Sequence, residues 1–408
     1  MILSESDVRV LRALAVRYAE IASLPEQKAR KERWIRHNAL AAERPLVLLD
    51  QLPWNELNVD GSLNRRVENS IFASVESWLL QEIYKWTHCP GDMVIDPYVK
   101  IPYPHHNSGW GLNPKITTLR VEGNTDVESQ RMENLIREPE DIDQIHTPLL
   151  TVDETEVREI SEAASYVFDG ILPWRFSGIC MHLGAWDTIA YWMGVENCYI
   201  ELMDRPEMMH ALMEKMTTGY LSMIDQLNRL KIFDVSSHYC HCSHTYRADD
   251  AENAEPVSEN SWAFGLAQLF TSVSPRITEE FECAYMKRVF PRFKHIYYGC
   301  CDRLDDRMEI VASLPNVRKI SCSPWSHRET FAEKLPKSII MSNKPSPALL
   351  ATDTMDEDAV RADLRRTIDA ARKNGATLEM ILKDVSTVRH DPSRLTRFSE
   401  IALEEAER

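Results

Sequence analysis

From Met93 onward short β-rich runs alternate with long amphipathic helices, and this alternation constrains the fold more than any other feature of the chain. The runs are DMVIDPYVKIP, WRFSGICMHLG, IFDVSSHYC, HIYYGCC, VRKISCS, SIIMSNKPSP and LEMILKDVST, with helix-patterned stretches at 205–230, 277–293, 305–314 and 356–375. Strand followed by helix at intervals of roughly 20–40 residues predicts repeated βα units on a parallel sheet. The last four units, 277–385, are regular enough to favour an α/β fold of the closed (β/α)8 barrel type over an open sheet. The expected organisation is a barrel over 91–408 with a helical N-terminal extension, 1–90, packed on it. Within the extension, apolar positions recur at helical spacing in 6–22 and 68–86, and RPLVLLDQLPWNEL (44–57) between them reads as a short extended segment ending in a Pro-containing turn. The polar stretch AENAEPVSENSWAF (251–264) is expected to be a long loop over one barrel face.

Several function classes are disfavoured by composition. No glycine-rich phosphate fingerprint follows any of the strands, and the whole chain holds 13 glycines, so a dinucleotide-binding reading is weak. With 63 acidic against 47 basic residues and a net charge of −16, the basic footprint of a nucleic-acid binder is missing. The N-terminal stretch MILSESDVRVLRALAVRYAEI carries charges throughout and has no signal-peptide core, and no uncharged apolar run is long enough to span a bilayer. A cytoplasmic protein without membrane partners is expected. Nine cysteines at irregular spacing then point to free thiols or metal ligands, not to a disulfide frame.

In a barrel of this kind the reactive groups sit at the carboxyl ends of the strands, and three sulfur-rich clusters fall where strands are expected to stop. HYCHCSH (238–244) follows IFDVSS, Cys300 and Cys301 follow HIYYG, and Cys322 closes VRKISC. Strand alternation lets His238, Cys240 and Cys242 share one face and turns His241 away. By the same rule the adjacent Cys300 and Cys301 cannot both point inward, so one of them is expected to be structural. The candidate metal set is His238, Cys240, Cys300, Cys301 and Cys322, because thiolates and imidazoles are the ligands zinc prefers; the competing reading is buried cysteine packing. Zinc held this way with an open position is a Lewis acid toward an oxygen or sulfur leaving a carbon. Lys344, Lys383 and Asp384 are further strand-end charges, and His238, Lys344 and Asp384 are the expected catalytic groups. Trp54 and Trp325, in proline-containing turns, together with Trp186 and Gln268, are expected to bind a flat substrate.

The segments RPLVLLDQLPWNEL, AQLFTSVSPRITEEF, IYYGCCD, VRKISCSPW, SNKPSPALL and LEMILKDVSTVRHDPSRL resemble the uroporphyrinogen decarboxylase superfamily, and more closely its corrinoid-dependent methyltransferase branch, over residues 40–408. That resemblance implies a (β/α)8 barrel and transfer of a methyl group between a small methylated compound and the cobalt of a separate corrinoid-binding protein. The branch holds zinc with an HxC on one strand and a Cys near the last strand. Here Tyr298-Gly299-Cys300 keeps the Cys and lacks the His, and Val385 and Ser386 stand near the place of the late Cys. These departures leave HYCHCSH as a source of substitute ligands. The expected function is therefore corrinoid-dependent methyl transfer of the O-demethylase type, with a methoxylated aromatic as the leading donor and homo-oligomers compatible with it. The alternatives are a decarboxylase of the same superfamily, or a non-catalytic protein that handles metal or corrinoid.

Overall fold

The strand runs are apolar on most residues and mostly buried, as expected for strands covered on both faces. In the computed structural model, which describes residues 3–120, 128–249 and 253–408, the sheet strands are β1 (Leu46–Leu49), β2 (Val99–Pro102), β3 (Trp174–Ser177), β4 (His182–Leu183), β7 (Trp262–Gly265), β8 (His295–Tyr298), β9 (Val317–Cys322), β10 (Ile340–Asn343) and β11 (Leu378–Leu382). The labels β5 (Tyr239–Cys240) and β6 (Ser243–His244) belong to a small antiparallel hairpin. Seven strands form one parallel sheet in the order β1-β11-β10-β9-β8-β7-β4, and β2 pairs with β3 in a separate parallel ribbon. All carboxyl ends of the sheet therefore lie on one side.

A ladder that would close this sheet into a ring is not formed among the described residues. At the free side of β1 the Asp92 amide donates to the Val47 carbonyl (2.8 Å), and the Val47 amide donates to Asp92 Oδ2 (2.9 Å). A side chain thus stands where a strand pair would close the sheet.

Period-two alternation divides the strands between two cores. Val47, Leu49, Tyr298, Ile320, Met341, Met380 and Leu382 pack toward the outer helices. Leu46, Leu48, Phe264, Tyr297 and Ile381 face the other way, onto the β5–β6 hairpin and the N-terminal helices. Those helices are α1 (Glu5–Ala22), α2 (Pro25–Asn38) and α3 (Ser70–His88). The capping box in which Ser4 and Asp7 bond one another's backbone fixes the start of α1.

Four expectations change. Leu46–Leu49, assigned to the N-terminal extension, is a full member of the sheet, in register with Glu379–Leu382 of β11. The run 174–184 is two strands, because at Gly178 the backbone passes so close to Phe233 that a Cβ would lie 2.5 Å from its carbonyl carbon. The expected strand through 232–240 survives only as a bridge, Ile179 to Phe233, and as β5 at its end, which pairs with the hairpin strand β6 and not with the sheet. The expected loop over 251–264 contains a 3-10 turn, Ser258–Asn260, and most of β7; its residues 251–252 lie outside the described residues.

Candidate functional site

The site begins where β8 stops. Gly299 adopts φ +85° and has no room for a Cβ, which would come within 2.6 Å of Leu304 Cδ1, so the strand breaks here. Strand alternation no longer applies beyond it, and Cys300 and Cys301 lie together at the carboxyl end with sulfurs 3.6 Å apart. This corrects the expectation that one of the pair points away. From the end of β11, Lys383 Nζ donates to Cys300 Sγ (3.0 Å), and the Cys301 thiol donates to Asp384 Oδ2 (3.1 Å). Asp384 holds φ +55° to do so, a conformation that non-glycine residues rarely adopt. Lys383 also reaches Asp384 (2.9 Å) and Gln51 Oε1 (3.3 Å). The hydrogen bond from Cys301 outweighs burial and, with His241 and the Lys383 ammonium, pulls the Cys300 pKa down to about 4. These neighbours favour the thiolate at Cys300, the form that binds metals.

The heptapeptide HYCHCSH is the β5–β6 hairpin, and it runs along the inner face of the sheet. His238 and His241 both take positive φ, 52° and 58°, so strand alternation fails here too. At the tip, the His241 ring lies flat on Phe264 (centroids 3.9 Å apart, 7° between planes). Burial works against its charge, yet the Cys242 and Cys300 sulfurs beside it raise its pKa to about 9. His241, expected to turn away, is thus the imidazole at the site. His238 stacks on Tyr246 instead (4.6 Å). Cys240 is buried with its sulfur 3.6 Å from that of Cys180.

Below the thiol group lies a fully buried polar network. Lys319 Nζ donates to Glu379 Oε2 (2.8 Å), to Ser243 Oγ (2.7 Å) and to the His244 carbonyl (3.1 Å). Ser342 donates to Glu379 Oε1 (2.6 Å), and His37 Nε2 from α2 lies 3.2 Å from Glu379 Oε2. Burial works to raise the pKa of Glu379, but the Lys319 charge and His37 hold it far below the usual carboxylate value. Lys344 belongs to this layer, donating to Tyr297 OH (2.6 Å) and Ser342 Oγ (2.7 Å). It acts on the site through charge: burial pushes the Cys242 thiol up, and Lys344 and His241 together bring it below its ordinary value.

The remaining sequence candidates do not converge on the thiol group. Trp186 is fully buried in the outer core, its indole N–H donating to the Phe281 carbonyl (3.1 Å). Trp325 is 74% exposed. Gln268 lines a separate surface pocket with Asp187 and Tyr191, and Trp54 packs edge-on against Tyr84. Cys322 is wholly buried, and burial pushes its thiol up to about 12. The sequence reading overlooked a cavity of about 520 Å³ between α1, α3, the ends of β1 and β2, and the hairpin, lined among others by Tyr18, Asp50, Trp78, Lys85, Tyr239 and His241. His241 thus borders both this cavity and Cys300. The signal available for the cavity was the amphipathic helix 68–86, which carries Trp78, Glu82 and Lys85.

Among the described residues, Cys300, Cys301 and Asp384 are the one group of three ligand-type side chains whose donor atoms all lie within 4.8 Å of one another. His238, Cys240 and Cys322 are not part of it. Tetrahedral zinc at ~2.3 Å from each thiolate separates two sulfurs by ~3.7 Å, and the 3.6 Å between Cys300 and Cys301 matches. The donor set fits zinc, with three protein ligands and an open fourth position.

No family model and no curated protein matches the chain. Among solved structures, a methyltransferase from Methanosarcina mazei shares the fold with a TM-score of 0.52, covering 92% of this chain and 98% of that one at 10% identity. Among the described residues no helix is long and apolar enough to cross a membrane.

Proposed function

We propose that this protein is a methyltransferase on a (β/α)8-type barrel, moving a methyl group from a small methylated donor, a methoxylated aromatic in the leading case, to the cobalt of a separate corrinoid protein. The observation that carries the reading is the Cys300–Cys301–Asp384 group, brought together at the carboxyl ends of β8 and β11 next to a cavity large enough for an aromatic donor. The fold shared with a methyltransferase supports it. Cys300, Cys301 and Asp384 would hold zinc, which when bound supplies Lewis acidity toward the donor oxygen. Lys383 keeps Cys300 ionised and ready for the metal. His241, stacked on Phe264, stands at the border between the cavity and Cys300, and α1 and α3 line the cavity.

The test combines zinc analysis with methyl transfer from a panel of aryl methyl ethers to cob(I)alamin. About one zinc per chain and transfer from at least one ether are expected, both lost in Cys300→Ser. Absence of transfer from every donor, with the cobalt verified spectroscopically as Co(I), overturns the proposal.

A further inference from the structure

The lining of the 520 Å³ cavity is chemically lopsided. It carries three carboxylates, Asp50, Glu82 and Asp234, and two ammonium groups, Lys85 and Lys100. Both cations are already engaged: Lys85 Nζ lies 2.5 Å from Glu82, and Lys100 lies 3.4 Å from Asp96 and donates to the Ser237 carbonyl (2.8 Å). The His241 ring lies flat on Phe264. Asp234 receives the Ser236 and Ser237 amides (3.1 and 2.9 Å). Asp50 differs from the other two acids. It lines the cavity, accepts from the Tyr239 hydroxyl and faces the Lys85 ammonium that Glu82 already holds; a carboxylate offers about four acceptor sites, so this leaves it acceptor capacity. Asp50 sits at the end of β1, one residue before the Gln51 side chain that reaches Lys383 and, through it, Cys300. The lining also offers aromatic surface, Trp78 beside Tyr18 with ring centroids 5.1 Å apart and planes tilted by 48°.

We infer that the cavity selects an aromatic methyl ether bearing a free hydroxyl and no carboxylate, with Asp50 accepting the hydroxyl's hydrogen bond as the specificity-determining contact. The inference rests on the methyl-transfer reading of this site. A hydroxyl donated to a carboxylate makes a charge-assisted bond. A carboxylate brought into the same space would be desolvated among acids with both cations taken. A small quaternary ammonium ion would suit the charge but leave most of the volume unfilled.

Calorimetric binding to the full chain, without any corrinoid protein, tests this with 2-methoxyphenol, methoxybenzene, 4-hydroxy-3-methoxybenzoate and tetramethylammonium as probes. 2-Methoxyphenol is expected to bind tighter than methoxybenzene and the benzoate by about tenfold or more, the size of one hydrogen bond to a charged group. Asp50→Asn should erase the advantage over methoxybenzene. Equal binding of the benzoate, or tightest binding of tetramethylammonium, overturns the inference. If Asp50→Asn fails to fold, Glu82→Gln decides: by releasing Lys85 it should tighten the benzoate by about tenfold and leave 2-methoxyphenol unchanged, and no gain overturns the inference. Selective phenol binding with no methyl transfer sinks the methyl-transfer reading and supports the selectivity; equal transfer from phenol and benzoate sinks the selectivity alone.

Discussion

Two lysines inside this molecule each sit against an anion, and the contrast between them separates structure from chemistry. Lys319 and Glu379 are both 0% exposed, and Ser243, Ser342 and His37 complete the carboxylate's surroundings. Every partner comes from a different element, so the network ties the hairpin, α2 and three strands together. Lys383 makes a pair of similar length with Cys300, but at the rim, where Asp384 is 45% exposed and Cys301 offers a second sulfur at 3.6 Å. The lower anion is saturated with donors. The upper one lies beside a second sulfur and a partly exposed carboxylate, the donor types a zinc site requires.

The largest effect is expected from breaking the lower pair. Glu379→Gln leaves Lys319 buried without its counter-charge and should cost about 3–5 kcal/mol in denaturant unfolding, whereas the joint replacement Lys319→Met with Glu379→Leu should recover most of that loss. The pH dependence sharpens the point. The folded pKa of Glu379 lies below its unfolded value, so its contribution is present above about pH 4.3 and fades as pH falls below that through the folded value. The acid limb of the wild-type stability curve should accordingly be steeper than that of Glu379→Gln.

Breaking the upper pair should spare the fold and remove the chemistry. Cys300→Ser is expected to lower zinc affinity by more than about 100-fold, beyond the loss reported for outer ligand partners, with an unfolding free energy within about 1 kcal/mol of wild type. A Cys300→Ser protein that retains stoichiometric zinc would remove the distinction between the two regions. The same measurement on Cys240→Ser should show unchanged zinc, because that sulfur packs against Cys180 away from the triad; zinc loss there would return the ligand role to the hairpin. Smallest of all, Trp325→Ala should change stability by no more than about 0.5 kcal/mol, the range of surface substitutions, and leave donor affinity untouched, since the ring is 74% exposed.

Much of the fold was legible. The runs HIYYGCC, VRKISCS, SIIMSNKPSP and LEMILKDVST all yield strands of one parallel sheet, because βα periodicity is a local property of the chain. RPLVLLDQLPWNEL was read as extended, but its place in the sheet depends on β11, more than 300 residues later in the sequence. The candidate site was half legible. Cys300, Cys301 and Asp384 stood among the strand-end candidates, while His238, Cys240 and Cys322 were added to them on residue type. His241 was dismissed on an alternation rule that holds only in a regular strand, and the hairpin with its two positive-φ histidines is not one.

By itself, then, the sequence determined the repeated strand and helix units, the carboxyl-end placement of Cys300, Cys301, Lys344 and Asp384, and the absence of a glycine-rich phosphate loop, since each follows from local pattern. Only the tertiary structure decided which sulfurs meet. HYCHCSH gathers five zinc-type side chains in seven residues, yet its hairpin sends two imidazoles onto Tyr246, one thiol onto Cys180, and its tip to the site. Cys301 and Asp384, 83 residues apart, come within 3.1 Å. The physical reason is that ligands must share a point in space, and neighbouring strands of a parallel sheet deliver distant residues to that point more directly than adjacency along a twisted hairpin can.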